Sequence, residues 1–150
     1  MKTAIVYYSR HHGNTKRLVE AIAAENDVYL VDVTDDRIPD LTDYERIGFA
    51  SGIYYGSFAK QLLSFAEDYL LSGKEVFFIA TCGSERKSYF DAIRRITELK
   101  SCTELGHYLC LGYDTFGPFK LVGGIAKGHP TQEEIDGAAA FYRNLPDGGR

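Results

Sequence analysis

The chain has 150 residues, of which 45% are hydrophobic, and a formal net charge of −4. These values predict one globular domain over residues 1–150, and the absence of a basic block argues against nucleic acid as a partner. The cysteines Cys82, Cys102 and Cys110 form no C-x-x-C pair, which predicts a reduced, cytoplasmic protein without a structural disulfide or a metal site. No apolar run is long enough to span a membrane, and the N-terminal residues become polar too early for a signal peptide.

The first 24 residues predict a buried strand, a polar loop and an amphipathic helix. Residues 3–8 form a continuous, largely apolar run, which is typical of a central parallel strand that is buried on both faces. Leu18, Val19, Ile22 and Ala23 then recur at the spacing of a helix. The chain therefore enters its first helix directly from the end of a strand.

The loop between this strand and helix has the composition of a phosphate-binding loop. It contains Ser9, Arg10, His11, His12, Gly13, Asn14 and Thr15. The start of a helix offers unpaired N–H groups and partial positive charge, and Gly13 allows the chain to turn closely around an anion. Ser9, Asn14 and Thr15 add side-chain donors. We therefore predict that the loop holds a phosphate group; a positively charged loop without a ligand is the alternative.

Two common phosphate-binding motifs are absent from this loop. It lacks the Gly-Lys-Ser/Thr of a nucleotide triphosphate P-loop, and no Gly-x-Gly-x-x-Gly follows the strand. The loop is thus predicted to bind a single terminal phosphate rather than a triphosphate or the pyrophosphate of a dinucleotide.

Strands and helices alternate along the rest of the chain. Further strands are predicted at residues 28–33, 46–51, 75–81 and 105–113. Ser57 is a predicted N-cap, and Ser88 with Asp91 and Thr131 with Glu134 have the pattern of capping boxes that open the later helices. The alternation predicts an α/β fold, a doubly wound five-stranded parallel sheet in the order 2-1-3-4-5 with helices on both faces. Ligands of such sheets bind at the carboxyl ends of the strands, so the loops after strands 1, 3 and 4 are the candidate functional loops.

The loops after strands 3 and 4 both contain residues that suit a planar ligand. The first comprises Gly52, Ile53, Tyr54, Tyr55 and Gly56, directly after Ser51 at the end of the strand, and its aromatic pair beside glycines is a platform for ring stacking. The alternative for either tyrosine is packing beneath the following helix. The second loop comprises Thr81, Cys82, Gly83, Ser84 and, further along, Lys87. Within it, Cys82 is interpreted as a small buried residue rather than a redox group.

These loops resemble those of the flavodoxin family. The similarity rests on Ser9 followed by Gly13-Asn14-Thr15, on the tyrosines after strand 3, and on Cys82-Gly83 in register with Tyr89-Phe90. It extends from residue 1 to about residue 145 and implies FMN as the cofactor, contacted by the residues of the three loops, with no catalytic residue. The first loop is one residue longer than is usual in the family. Ser84 and Lys87 stand where members of the family have an acidic residue and a stacking tyrosine.

The resemblance implies an electron-transfer protein that works with redox partner proteins or with a small redox substrate. The modest net charge keeps a second hypothesis open, an FMN-dependent oxidoreductase acting on a quinone, a porphyrinogen or NAD(P)H.

A phosphoacceptor signalling domain shares the strand order but needs an acidic pair after strand 1 and an Asp ending strand 3. This chain has Tyr8-Ser9 and Ala50-Ser51 there. A low-molecular-weight phosphatase needs Cys-x5-Arg, and Cys82 is too close to Arg86.

A long loop over residues 114–130 follows the last predicted strand. Tyr113, Phe116 and Phe119 are candidates to cover the side of the flavin ring that Lys87 leaves open. Segments 117–120 and 127–130 resemble a feature shared by a subgroup of flavodoxin-like proteins. Their role is left open, with an ordered surface loop as the simpler interpretation.

Overall fold

The computed structural model describes residues 2–10, 12–113 and 124–147. Within these ranges the sheet contains the strands β1 (Thr3–Tyr8), β2 (Val28–Asp32), β3 (Arg46–Tyr54), β4 (Ser57–Phe58), β5 (Glu75–Cys82) and β6 (Thr103–Leu111). The helices are α1 (Asn14–Glu25), α2 (Lys60–Tyr69), α3 (Asp91–Leu99) and α4 (Gln132–Arg143), with a 3-10 turn at Lys87–Phe90. None of the helices in these ranges is long and apolar enough to cross a membrane.

The strand order confirms the predicted topology. The parallel strands run β2-β1-β3-β5-β6, which is the order 2-1-3-4-5 once the short β4 is set aside. Tyr8 of β1 lies beside Ser51 of β3, and Thr81 of β5 lies beside Gly52 of β3. The carboxyl ends of the three central strands therefore meet at one edge of the sheet, as the fold requires of a binding site.

Helices cover both faces of the sheet because successive residues of a strand point to opposite sides. Phe78 packs with Phe49 and Phe90 on the face covered by α2 and α3. Phe77, its neighbour along the strand, packs with Leu18 on the face covered by α1 and α4. Each face has its own apolar core, and the two cores hold the starts of α1 and α2 at the carboxyl edge.

The predicted loop after strand 3 and the predicted N-cap at Ser57 are wrong in detail. β3 continues to Tyr54, and Ser57 pairs with Tyr54 as part of β4. Tyr55 and Gly56 have φ values of 51° and 79°, the left-handed conformation that closes a two-residue hairpin turn. The helix that Ser57 was expected to cap begins at Lys60, with Ala59 in the N-cap position.

One predicted capping box forms and the other does not. Thr131 Oγ1 accepts the Glu134 N–H at 3.2 Å, and the Glu134 carboxylate accepts the Thr131 N–H at 2.8 Å, as predicted. At the start of α3 the Ser88–Asp91 box is absent. Tyr89 is buried there and its hydroxyl donates to the Ser84 carbonyl, which draws the chain into a 3-10 turn before α3 begins.

The glycine in the middle of β3 provides a test of the packing on the α1 and α4 face. A Cβ atom at Gly48 would lie 2.3 Å from Cζ of the Phe77 ring. We therefore expect Gly48→Ala to lower the free energy of unfolding by about 1–3 kcal/mol, because the ring has to move within a packed core. Urea unfolding followed by circular dichroism measures this change.

A second variant checks the cause of that loss. In Gly48→Ala/Phe77→Leu the clash is relieved, so the double variant is expected to lose less stability than the sum of the two single losses. Strict additivity of the two losses would contradict the contact between Gly48 and Phe77.

Candidate functional site

Three connections meet at the carboxyl edge of the sheet. They are the loop between β1 and α1, the hairpin between β3 and β4, and the loop that follows β5. The starts of α1 and α2 lie at the same edge because both helices leave strands that end there. The described residues of the three predicted loops are thus brought together by the topology.

The start of α1 has the features of an anion-binding site. Gly13 occupies the N-cap position with φ 65° and ψ 27°, a left-handed conformation that favours glycine, and no side chain caps the helix. Within the described ranges, the backbone N–H groups of Gly13, Asn14 and Thr15 donate to no acceptor. These amides and the positive end of the helix dipole are therefore available to an anionic group.

The polar side chains of this loop mainly hold the loop in place. Asn14 Nδ2 donates to the carbonyl of Tyr113 at 2.8 Å, and Asn14 Oδ1 accepts from Arg17 at 2.8 Å. The Thr15 and Thr81 hydroxyls lie 2.8 Å apart, and both residues are buried. Sequence reasoning treated Asn14 and Thr15 as donors to a ligand, whereas their side chains connect α1 to the ends of β5 and β6.

Ser9 differs from these two residues because its hydrogen remains available. Ser9 Oγ accepts the backbone N–H of Lys16 at 3.1 Å. A hydroxyl carries one donor hydrogen in addition to its acceptor positions, so Ser9 can accept from Lys16 and still donate to an anion.

Arg10 and His12 of this loop each lie against an aromatic ring. Arg10 is exposed, with its guanidinium carbon 5.8 Å from the centre of the Tyr8 ring. The His12 ring stacks on Tyr113, with ring centres 4.3 Å apart and an angle of 28° between the planes. His11, the remaining predicted residue of this loop, lies outside the described residues.

The residues of the β3–β4 hairpin have different environments. Tyr54 is half-buried and meets the Tyr8 ring edge-on, with ring centres 5.5 Å apart. Tyr55 lies at the tip of the hairpin and is 89% exposed. Ser51 is fully buried, and its hydroxyl accepts the Ala59 N–H at 3.0 Å, so its side chain supports the entry to α2. Gly52 and Ile53 are half-buried, and Gly56 is exposed.

The loop after β5 combines a buried start with an exposed end. Cys82 is 4% exposed, and its thiol lies 3.5 Å from the Cys110 carbonyl, which fits the interpretation of a small buried residue. Gly83 is half-buried, while Ser84 and Lys87 are exposed. Lys87 is the first residue of the 3-10 turn. Within the described ranges, no group of His, Cys, Asp and Glu side chains is arranged to hold a metal ion.

Sequence reasoning missed a set of contacts that join the end of β6 to the start of α4. The Tyr113 N–H donates to the His129 carbonyl at 2.8 Å, and His129 Nδ1 is hydrogen-bonded to Glu134. The same carboxylate accepts the Leu111 N–H at 3.3 Å. Residues 127–130 therefore connect the start of α4 to the end of β6, where Tyr113 supports Asn14. The capping pattern identified Glu134, but nothing local indicated its contacts with β6. Phe116 and Phe119 lie outside the described residues.

The connections of Glu134 affect its ionisation. Burial favours the neutral carboxyl and raises its pKa, but hydrogen bonds from the Thr131 N–H and from His129 outweigh burial and lower the net pKa. A carboxyl with a lowered pKa in the folded state stabilises the protein above its unfolded pKa. That stabilisation is lost as the pH falls through the folded pKa.

Glu134→Gln tests this effect. At neutral pH we expect the free energy of unfolding to fall by about 1–2 kcal/mol, because hydrogen bonds to a carboxylate are stronger than those to an amide. Below about pH 4, near the unfolded pKa of Glu, the wild-type protein loses this advantage and the two proteins converge. Urea unfolding from neutral pH down to about pH 3 measures the difference. Glu133→Gln, at an exposed position in the same helical turn, is the control; a difference that does not change with pH would contradict the assignment.

Comparison with known proteins gives matches to both the sequence and the fold. A family model described as a flavodoxin domain matches residues 5–102. An uncharacterized protein of Methanocaldococcus jannaschii is 35% identical over 149 residues, which cover 97% of this chain and 98% of that protein.

Among the solved structures that share the fold are two flavoproteins and an oxidoreductase. The two-electron reduced flavodoxin of Megasphaera elsdenii is 21% identical, with a TM-score of 0.61 over 92% of this chain and 98% of that chain. A flavoprotein of Lactobacillus acidophilus in complex with FMN is 23% identical, with a TM-score of 0.55 over 72% and 92% of the two chains. An NADH:FMN oxidoreductase in its apo form is 16% identical, with a TM-score of 0.60 over 98% and 91%.

Proposed function

Because this chain belongs to the flavodoxin family, we propose that it binds FMN at the carboxyl edge of the sheet and works as an electron-transfer protein. The observation that carries the proposal is the uncapped start of α1, where the N–H groups of Gly13, Asn14 and Thr15 have no acceptor in the described chain. FMN has a single terminal phosphate, which suits a site of this kind. One of the structures with the same fold is a flavoprotein in complex with FMN.

The residues of the first loop fit a phosphate group. The three free amides would donate to its oxygens, and the Ser9 hydroxyl retains a hydrogen for the same purpose. Arg10 is exposed beside the loop and adds positive charge. Because Asn14 and Thr15 use their side chains within the protein, their contribution would come from the backbone.

The flavin ring would be held by the other two connections. The hairpin would supply Tyr54 and Tyr55 as aromatic surfaces, and the loop after β5 would supply Gly83, Ser84 and Lys87. When bound, FMN accepts and releases electrons, while the protein contributes binding, orientation and electrostatics. The full proposed set is Ser9, Arg10, His11, His12, Gly13, Asn14, Thr15, Ser51, Gly52, Ile53, Tyr54, Tyr55, Gly56, Thr81, Cys82, Gly83, Ser84 and Lys87.

A second candidate function is an FMN-dependent oxidoreductase acting on a quinone, a porphyrinogen or NAD(P)H. An exposed lysine at position 87, where the resemblance to flavodoxins implies a stacking tyrosine, favours this candidate because it would leave one side of the ring accessible to a small substrate. Rapid oxidation of NADH or NADPH by the FMN-loaded protein, with a quinone as acceptor, would support an enzyme. Electron exchange only with protein partners would support a carrier.

Ligand titrations test the phosphate site. We expect the flavin-free protein to bind FMN at least about tenfold more tightly than riboflavin, because the phosphate adds charge-assisted hydrogen bonds worth about 1.5–3 kcal/mol. FAD should bind more weakly than FMN, since the loop lacks a site for a pyrophosphate. Quenching of flavin fluorescence measures all three affinities.

A matched variant separates the phosphate from the ring. Ser9→Ala should weaken FMN binding while leaving riboflavin binding unchanged, because only FMN has a group that contacts Ser9. Equal affinity for FMN and riboflavin would contradict the role of the first loop.

Lys87 is expected to influence the reduction potential. A cation near the ring favours the negatively charged reduced flavin, and each tenfold change in the ratio of affinities shifts a one-electron potential by about 59 mV. We expect Lys87→Tyr to make the potential of the second electron more negative. An anaerobic redox titration followed by absorbance measures both steps. Lys87→Gln is the control that removes the charge without adding a ring. A potential that neither variant changes would place Lys87 away from the flavin.

A further inference from the structure

A cavity of about 490 Å³ lies beside the proposed flavin site. It is bounded by the end of β1, the β3–β4 hairpin and the first turn of α2. Its described aromatic lining consists of Tyr8, Tyr54, Tyr55 and Phe58. None of the described lining residues belongs to the loop after β5 or to the start of α1. Tyr54 and Tyr55 of the hairpin, which are proposed to contact the flavin, also line this cavity.

One cation lines this cavity and a second lies near one of its lining rings. Lys60, in the first turn of α2, lines it directly. Arg10 holds its guanidinium 5.8 Å from the centre of the Tyr8 ring, which is part of the lining. Both side chains are exposed, and neither forms an ion pair within the described residues. The described lining contains no Asp or Glu, although the chain as a whole has a net charge of −4.

We infer that this cavity binds a small, flat aromatic molecule that carries an anionic group such as a carboxylate, sulfonate or phosphate. Tyrosine and phenylalanine rings favour stacked or edge-on contacts with another aromatic ring. The volume lies within the range of about 300–1,000 Å³ that is usual for small-molecule sites. The positive charge of Lys60, which no described carboxylate neutralises, favours an anion over a cation. This inference goes beyond the proposed function, since it does not depend on a bound flavin.

Three naphthalene probes that share one ring system and carry a negative, a neutral or a positive substituent test the inference. Naphthalene-2-sulfonate is anionic, naphthalene-2-methanol is neutral and 2-naphthylmethylammonium is cationic. Isothermal titration calorimetry with the FMN-saturated protein should rank their affinities in that order. Proton NMR line broadening of the probes provides a second measurement. Binding of the cationic probe as tight as that of the sulfonate, or no binding of the sulfonate, would overturn the inference.

Variants locate the binding. Lys60→Gln is expected to weaken the sulfonate about two- to fivefold, the size expected for a solvent-exposed charge pair, and to leave the neutral probe unchanged. Lys127→Gln removes an exposed lysine outside the cavity and is the matched control. Gln61→Trp places an indole in the cavity and should weaken all three probes without changing the affinity for FMN. Equal effects of Lys60→Gln and Lys127→Gln would overturn the inference.

Competition with FMN separates this site from the flavin site. If the sulfonate binds the flavin-free protein but is displaced by saturating FMN, it occupies the flavin site and the inference is wrong. If the protein binds no FMN, the proposed function fails, yet the probe and its dependence on Lys60 can still be measured on the protein as isolated.

Discussion

The hydrogen bond between the Thr15 and Thr81 hydroxyls fixes the start of α1 against the end of β5. Both residues are buried, so loss of one partner leaves a polar group without water and costs about 1–3 kcal/mol. Asn14 provides a second connection, to the Tyr113 carbonyl at the end of β6. It lies so close to Gly112 that a Cβ there would be 2.7 Å from Asn14 Nδ2. These contacts determine where the free N–H groups of the first helical turn point, and the proposed phosphate site depends on that direction.

The side chains of Asn14 and Thr15 therefore have a different role from the one that the composition of the loop indicates. Asparagine and threonine in a loop are potential donors to a phosphate, and sequence reasoning assigned them that role. In the fold their side chains orient the loop, which leaves the backbone amides to contact a ligand. Amides that are fixed during folding lose little further entropy when an anion binds, so this division of roles favours affinity.

The features that could be predicted from the sequence are those that depend on local patterns. The buried run at residues 75–81 and the alternation of strands with helices depend on neighbours in sequence, and so does the Thr131–Glu134 capping box. The hairpin at Tyr55 and Gly56 was not predictable, because nothing in the sequence marks a tyrosine that adopts a positive φ. The contact between Asn14 and Tyr113 joins residues 99 positions apart, and the spacing of apolar residues along the sequence does not indicate contacts over such a separation. The edge of the sheet at which the candidate loops meet could thus be predicted from sequence, while the partners of their side chains could not.

The charges at the carboxyl edge connect the proposed flavin site with the cavity beside it. Cationic side chains follow β1 and β5 and open α1 and α2, namely Arg10, Lys16, Arg17, Lys60, Arg86 and Lys87. Carboxylates also lie at this edge, among them Asp32, Asp91 and Glu134. Exposed cations are screened over about 10 Å at an ionic strength of 0.1 M, whereas backbone amides at a helix start act by direct hydrogen bonding. Binding of a phosphate through the amides of α1 should therefore persist in salt, while attraction of an anion by Lys60 or Arg10 should weaken. Ionic strength thus distinguishes two kinds of anion recognition that the fold places side by side.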